Sequence, residues 1–397
     1  MVEAEPGLAK WPVMPLGNGM VTRMNEKFAA LFQPIRLGNG VISSNRFAMA
    51  PMVIWGSHDD GSLSHADFDY ITLRNDTGGL EISGAAAISK EGWGWIGQMA
   101  IFDDAKIPGF KKYAEIMKAK GNKAIMQLHH AGREAVGGYR TFGKVQAPSA
   151  VKFPWLDYVP EALTHEQILG IINDFGEATR RAIEAGFDGV EVHGANHYLL
   201  QQFFSPYSNT RDDKWGGSLE NRMRFPLAVL KKVKEVAAEK AGKEFIVGYR
   251  ISPEEIHGEN VYYTVDDALH LIEKVVEGGA DYVHLSTGDY KGMPKAGGNN
   301  EPVTSTVKKH IAGRVPMLVA GGILTPELAL DALNYTDVAA IGRAVLIDPD
   351  FVPKLENGAE NTIELSVKGR LPELALPQGI LDLFQMENSI LPPLNGL

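Results

Sequence analysis

Cysteine is absent from this chain of 397 residues. Its absence excludes disulfides, zinc thiolate sites, cysteine-bound iron–sulfur clusters and thiol nucleophiles together. Long apolar runs are absent too: no stretch of about 18 uninterrupted apolar residues occurs, so no membrane span is predicted. The first 20 residues contain Glu3 and Glu5 and no continuous apolar core, which is untypical of a secretory signal. We therefore expect a cytoplasmic protein.

Basic residues are fewer than acidic residues in this chain. The chain has 39 lysines and arginines against 49 aspartates and glutamates, which gives a net charge of −10. This balance argues against a general affinity for nucleic acid or for an anionic membrane, although it does not exclude a local basic pocket. We therefore expect a small-molecule substrate, no nucleic-acid partner and no membrane partner. A homo-oligomer stays open.

Short apolar runs alternate with longer amphipathic segments from about residue 47 onward. This alternation is typical of βα units around a parallel sheet, and eight such strands close a barrel. The sequence therefore predicts an α/β protein, a (β/α)8 TIM barrel with an N-terminal hairpin and extra terminal segments. The predicted strands are residues 46–52, 80–87, 123–128, 189–193, 245–251, 282–286, 317–320 and 338–341.

Several segments lie outside the barrel strands and helices. Residues 1–30 are predicted to be an N-terminal extension, followed by a barrel domain over residues 31–355. Within that domain, residues 32–45 are predicted to form a hairpin that turns at Gly38-Asn39-Gly40 and plugs the barrel floor. Residues 356–397, rich in proline and leucine towards their end, are predicted to form a tail that packs on the barrel or makes an oligomer contact.

Active sites of such barrels lie at the carboxyl ends of the strands. The last two predicted strands are followed by Gly321-Gly322 and by Gly342-Arg343, each just before a helix. Backbone N–H groups and the Arg343 guanidinium can face an anion there, so this region is a candidate phosphate site. The alternative is that these glycines serve only as tight turns.

Other strand ends carry groups suited to an electron-rich ring and to a carbonyl oxygen. Gln127 can donate to and accept from a planar heterocycle, and Arg250 places a fixed positive charge beside it. His193, Asn196 and Tyr198 follow the fourth predicted strand and can hold an oxygen and move a proton. In the alternative interpretation, His193 bonds a backbone carbonyl, Asn196 serves a turn and Tyr198 belongs to the core.

One long motif, residues 193–225, reads HGANHYLLQQFFSPYSNTRDDKWGGSLENRMRF. It resembles the signature of the old yellow enzyme family of FMN-dependent ene-reductases. Flanking segments agree with that family in order and spacing: NRFAMAPM, QLHHAGR, YRIS, AGGI and IGRAVLIDP. The resemblance covers about residues 30 to 355, so it leaves both tails outside.

The resemblance implies an FMN cofactor and NADH or NADPH as the reductant. Hydride would pass to the flavin and then, in a ping-pong mechanism, to an α,β-unsaturated carbonyl or nitro compound. His193 and Asn196 would bind the activating oxygen of the substrate, and Tyr198 would supply the proton. The cofactor-binding residues that the resemblance implies are Ala50, Pro51, Met52, Gly84, Gln127, Arg250, Gly321, Gly322, Gly342 and Arg343.

Three positions depart from the family pattern. Val53 stands where relatives commonly carry Cys or Thr, Trp55 where many carry Tyr, and His197 where Gly usually precedes the tyrosine. Val53 and His197 leave open a flavin carrier without ene-reductase activity. A second alternative is a flavin-free, phosphate-binding lyase or isomerase, which normally needs a lysine or a carboxylate base at a strand end, and neither is found at the eight predicted strand ends.

Overall fold

The computed structural model describes residues 23–387 and 391–397. Residues 1–22 of the predicted N-terminal extension lie outside the described residues. In the described part, the chain forms strands β1 to β14, whose bounds are Ile35–Arg36, Ile42–Ser43, Phe47–Met49, Leu80–Ala87, Lys123–His129, Gln146–Ala147, Glu161–Ala162, Gly189–Gly194, Ile246–Ile251, Glu255–His257, Asn260–Tyr263, Tyr282–Ser286, Met317–Ala320 and Val338–Ile341.

Eight of these strands close a parallel barrel, in the order β3-β4-β5-β8-β9-β12-β13-β14 and back to β3. The predicted (β/α)8 barrel is confirmed, and seven of its strands begin and end within one residue of the prediction. The first strand is shorter than predicted, Phe47–Met49 instead of residues 46–52. Its ladder ends before Pro51, which has no N–H group to donate.

Helices α1 to α12 connect the strands or follow the barrel. α4 begins with the capping box of Thr164 and Gln167, in which each side chain accepts a hydrogen bond from the other residue's backbone N–H. The helix bounds are His65–Leu73, Ile107–Met117, Val136–Phe142, His165–Glu184, Leu199–Phe204, Leu219–Lys240, Val265–Glu277, Val303–Ile311, Pro326–Ala332, Arg343–Ile347, Phe351–Glu356 and Gln378–Gln385. None of the described helices is long and apolar enough to cross a membrane.

The predicted hairpin is β1 paired with β2, and it closes the amino-terminal end of the barrel. Leu37 is buried there among residues at the strand beginnings, such as Leu80 and Ile246. Gly38 donates its N–H to the Asp281 carbonyl at 2.9 Å, and a Cβ on Gly38 would lie only 3.0 Å from the Asp281 Cα. Close backbone packing at the barrel floor therefore requires glycine at this position.

The C-terminal segment packs against the other end of the barrel. Leu374, Ile380 and Leu394 are at most 4% exposed, and Ile380 lies on α12. The buried guanidinium of Arg74 donates to the Leu374 carbonyl at 2.7 Å and to the Val345 carbonyl at 2.9 Å. These contacts join the tail to the helix that follows the last barrel strand.

Candidate active site

A cavity of about 610 Å³ opens at the carboxyl ends of the barrel strands. All the residues predicted for the site line it except Gly84. The lining residues that were predicted are Ala50, Pro51, Met52, Gln127, His193, Asn196, Tyr198, Arg250, Gly321, Gly322, Gly342 and Arg343. Six barrel strands or their following loops thus contribute these residues to one cavity, although the residues are far apart in the sequence.

Gly84 lies in the barrel wall beside the cavity. A Cβ on Gly84 would lie 2.4 Å from the Met52 carbonyl oxygen. The glycine therefore makes room for the backbone after β3, whose residues do line the cavity. Its structural role is to allow this close backbone approach.

His193 and Arg250 form one wall of the cavity from adjacent strands, since β8 pairs with β9 at these two residues. Both are buried, and His193 Nδ1 and Arg250 Nε have no hydrogen-bond partner among the described residues. Burial, together with the positive charge of Arg250, holds the pKa of His193 well below its usual value. His193 is therefore a neutral imidazole with a single N–H to donate.

Asn196 follows β8 in a left-handed turn, with φ of +56°. Its backbone N–H donates to Ser252 Oγ at 3.0 Å. Its side-chain oxygen accepts from Ser286 Oγ at 2.7 Å, and Ser286 Oγ in turn accepts from Arg250 at 3.1 Å. This chain of hydrogen bonds engages the oxygen of the amide and leaves its NH₂ group to donate.

Tyr198 lies over the same wall, in contact with three aromatic rings. Its ring centroid is 4.4 Å from that of His129, 5.1 Å from that of His193 and 5.7 Å from that of Trp95, each in an edge-to-face arrangement. Burial raises the pKa of Tyr198 above its usual value of 10.0. The phenol is therefore protonated throughout the neutral range, as a proton donor must be.

The three departures from the family pattern have different positions. Val53 and Trp55 line the cavity, and Trp55 has φ of +51°. The Trp55 ring meets Trp95 at 5.5 Å, so two tryptophans cover this side of the cavity. His197 has φ of +65° and lies in the turn between Asn196 and Tyr198, outside the cavity lining.

Sequence reasoning missed a buried carboxylate on β8, Glu191. It accepts hydrogen bonds from Gln127 at 2.7 Å, from His284 at 2.8 Å and from Tyr282 at 3.0 Å. Burial by itself raises the pKa of Glu191, but His284, Arg250 and the Gln127 amide outweigh it and lower the pKa below its usual value. The signal was the alternation of β8, which directs Glu191 and His193 to the same side of the strand.

Glu191 is not placed to act as a base in the cavity. It is fully buried, it does not line the cavity, and its hydrogen bonds go to the barrel interior. Its role is to fix the Gln127 amide, which does line the cavity. We call this buried group of Gln127, Glu191, Tyr282 and His284 the barrel cluster.

The opposite end of the cavity is built from glycine turns and Arg343. Gly322 has φ of +74°, and a Cβ on Gly321 would lie 2.5 Å from Thr287 Oγ1. α10 begins at Arg343, so the first backbone N–H groups of that helix have no carbonyl partner within it. The Arg343 guanidinium, which is partly exposed, donates to the Pro393 carbonyl at 3.2 Å.

The C-terminal segment also contributes to the cavity, which sequence reasoning did not assign. The spacing of Ile380, Leu383 and Phe384 puts them on one face of α12, and this i, i+3, i+4 pattern was the available signal. The residues of this segment that line the cavity are Ile380, Leu383, Phe384, Leu391 and Pro392.

The closed parallel barrel, with its cavity at the carboxyl ends of the strands, defines a (β/α)8-barrel enzyme. The chain belongs to the NADH:flavin oxidoreductase / NADH oxidase family, whose model matches residues 30–362. It is an NAD(P)H-dependent flavin oxidoreductase of the old yellow enzyme type, with FMN as its cofactor.

A sequence relative and a solved structure support this family assignment. The probable NADH-dependent flavin oxidoreductase YqiG of Bacillus subtilis (strain 168) is 41% identical over 348 residues, which cover 87% of this chain and 93% of that protein. An old yellow enzyme homologue from Zymomonas mobilis has a similar structure, with a TM-score of 0.73 and 27% identity over 89% of this chain and 99% of that one.

A longer relative is also similar. The NADH:fumarate oxidoreductase of Klebsiella pneumoniae (strain 342) is 40% identical over 344 residues, which cover 83% of this chain and 36% of that protein. This chain therefore spans about a third of that relative's length.

Proposed function

We propose that the protein reduces an activated C=C bond, such as that of an α,β-unsaturated carbonyl or nitro compound, by a ping-pong mechanism with NADH or NADPH. The observation that carries this proposal is the cavity wall on which His193, Asn196 and Tyr198 converge beside Arg250 and Gln127. The fumarate relative is named for a compound whose C=C bond is conjugated with carboxylates, and this name supports the same substrate class.

The residues of the cavity fit FMN. Arg250 Nε is a buried donor without a partner, and Gln127 presents an amide on the adjoining wall. A Cβ on Gly342 would lie 3.3 Å from Met52 Sδ, so the missing side chain leaves room beside Met52 in the cavity. Arg250 and Gln127 would hold the pyrimidine edge of the ring, Ala50, Pro51 and Met52 would lie along it, and the turns at Gly321, Gly322, Gly342 and Arg343 would hold its phosphate. Bound FMN supplies hydride acceptance from the nicotinamide and hydride donation to the alkene.

His193 and Asn196 bind the oxygen that activates the alkene. A neutral imidazole and an amide are uncharged donors, so they bind a carbonyl oxygen and bind it more strongly as negative charge develops on it. Each such donor contributes about 3 kcal/mol of transition-state stabilisation. The hydrogen bond from Ser286 to Asn196 Oδ1 orients the amide for this contact, so Ser286 is a positioning residue.

Tyr198 delivers a proton to the α-carbon of the alkene. The Tyr198 ring lies against the His193 ring, with the two ring centroids 5.1 Å apart. Tyr198 is therefore next to the residue that binds the substrate oxygen. Because burial raises its pKa, the group keeps its proton until the carbanion-like transition state develops.

We also propose that the described part of the tail, residues 356–387 and 391–397, covers the phosphate end of the cavity. The contact of Arg343 with the Pro393 carbonyl and the apolar lining from α12 support this role.

The direct test separates the two halves of the reaction. Purified protein is saturated with FMN, reduced by NADH or NADPH without oxygen, and then mixed with cyclohexenone. We expect the flavin absorbance to bleach in the first half and to return in the second. In a contradicting result, the bound flavin bleaches with NADH or NADPH, but no enone, nitroalkene or unsaturated acid of a panel reoxidises it. That result would exclude alkene reduction and favour a flavin carrier. A chain that binds no FMN would contradict both.

Phenols test the oxygen-binding pair. We expect a phenol to give a long-wavelength charge-transfer band with the flavin, because its oxygen occupies the position of the substrate oxygen. Replacing His193 and Asn196 with alanine together should abolish this band. The matched control is the exposed His270→Asn, which should leave it unchanged. If the band survives the double replacement, these two residues do not form the oxygen site.

A further inference from the structure

Three metal-ligating side chains meet on the barrel rim, next to the turn that carries the proton donor. They are His197, Glu255 and His257, and their ligand atoms all lie within 4.8 Å of one another. His257 Nε2 is 3.1 Å from one Glu255 oxygen, and His197 Nδ1 is 3.8 Å from the other. We call these three residues the rim triad.

The rim triad joins two separate elements. His197 lies in the turn after β8, whereas Glu255 and His257 lie on β10, which pairs with β11 as a hairpin that follows β9. Glu255 is buried, with 1% of its side chain exposed, while the side chains of His197 and His257 are 40% and 28% exposed. The carboxylate therefore forms the base of the group, and the two imidazoles form its open side.

The ligand atoms lie close enough together for one metal ion. Ligand atoms about 2.0 to 2.2 Å from Zn²⁺ lie roughly 3.4 Å apart in a tetrahedron. The three ligand atoms of the rim triad lie within 4.8 Å of one another, so small side-chain movements bring them to this spacing. Two histidines and one carboxylate are also a known set of protein ligands for zinc, with a fourth position left to water.

The surroundings hold the ligands in place. The His197 N–H donates to Gln201 at 3.0 Å, and the His197 carbonyl accepts from Gln202 at 2.6 Å. Gln201 also donates to Glu255 at 2.8 Å. The His257 ring contacts two tyrosine rings, Tyr207 and Tyr262, at 5.4 and 5.5 Å.

The backbone of His197 indicates that its side chain has a role. A histidine with φ of +65° is strained where glycine would be relaxed. Strained residues persist at sites where the surrounding structure holds them, and often where they serve a function. The positive charge of Arg133 acts on Glu255 and opposes a cation, but Arg133 is itself paired with Glu134 at 3.1 Å.

We propose that His197, Glu255 and His257 bind a divalent transition-metal ion, with Zn²⁺ as the best match. The bound ion would fix the turn between Asn196 and Tyr198 to the hairpin of β10 and β11. The metal would thus stiffen the active-site turn from outside the cavity, without contact with the flavin. The proposal does not depend on the substrate assigned above.

The test is calorimetric titration of the FMN-loaded full chain with Zn²⁺ at pH 7, after treatment with a chelator. We expect one Zn²⁺ per chain with a dissociation constant of about 1 μM or lower. His197→Gly and His257→Gln should each weaken binding at least about 10-fold. His197→Gly is the more informative variant, because glycine tolerates the positive φ, so the turn should stay folded while the imidazole is lost.

Two further readouts complete the design. The exposed His270→Asn is the matched control, and its zinc affinity should equal that of the unchanged chain. Zinc should raise the unfolding temperature of the unchanged chain and of this control, but not that of His197→Gly. No stoichiometric binding, or binding that both triad variants retain, would overturn the proposal. Flavin bleaching by NADH, measured on the same samples, tests the proposed function independently.

Discussion

Removing the carboxylate of the barrel cluster should destabilise the protein strongly. Glu191 accepts three hydrogen bonds, from Gln127, His284 and Tyr282, at 2.7, 2.8 and 3.0 Å. Glu191→Ala leaves these three buried donors without a partner, and each orphaned donor costs about 1 to 3 kcal/mol. Three such donors together cost about 3 kcal/mol or more. We expect the free energy of unfolding to fall by about this amount, which is a large part of the roughly 5 to 15 kcal/mol that stabilises a typical protein.

The measurement is urea unfolding of the FMN-free and the FMN-saturated chain. Glu191→Gln keeps the shape of the side chain and one acceptor oxygen. Its free energy of unfolding should therefore fall by less than that of Glu191→Ala, by about 1 to 3 kcal/mol. Because Glu191 fixes the Gln127 amide, both variants should also weaken FMN binding, by about 5- to 10-fold for one misplaced hydrogen bond. Quenching of flavin fluorescence measures this affinity.

The control is a carboxylate with an ordinary surface partner. Glu277 pairs with Lys274 at 2.7 Å, and about half of its side chain is exposed. Glu277→Ala should change the free energy of unfolding by no more than about 0.5 kcal/mol. If Glu191→Ala costs no more than Glu277→Ala, the barrel cluster does not stabilise the barrel and the argument from its hydrogen bonds fails.

Three other changes have defined outcomes. Tyr198→Phe should slow the alkene half-reaction about 100-fold or more, with flavin reduction by NADH within about 3-fold of normal; stopped-flow traces slowed equally in both halves would contradict its role as acid. Gly84→Ala places a Cβ 2.4 Å from the Met52 carbonyl oxygen, so the free energy of unfolding, measured with urea, should fall by about 1 to 3 kcal/mol. The control is Gly170→Ala on α4, where the new Cβ meets open space and the protein should not be destabilised. Burial holds the pKa of His129 at about 3 in the folded chain, against 6.5 in the unfolded one, so the unfolded state binds the extra proton and stability falls as the pH drops below about 6.5. From pH 6.5 to 5 this costs up to about 2 kcal/mol, and His129→Asn should remove that part of the dependence of stability on pH. An unchanged dependence would show that the pKa of His129 is the same in the folded and unfolded states.

The barrel was predictable because its signals are local. Each strand is a short apolar run, five of the eight runs directly adjoin glycine or aspartate, and such a run needs no distant partner to be recognised. The first strand was predicted too long, since Pro51 ends the ladder but not the apolar run. The cavity residues were predictable for a related reason: in a parallel barrel all strands end at one rim, so residues at strand ends must converge.

The sequence alone therefore determined the strands, the rim on which the site lies, and the family motif around His193. Only the tertiary structure decided which side chains meet across that rim and inside the barrel. Glu191 and His284 are 93 positions apart, and the apolar face of α12 spans about one helical turn, which does not show what it packs against. His197 meets Glu255 and His257 because a hairpin after β9 folds back over the turn after β8. These contacts depend on how neighbouring strands and loops are placed in space, and no local pattern of residues encodes that placement.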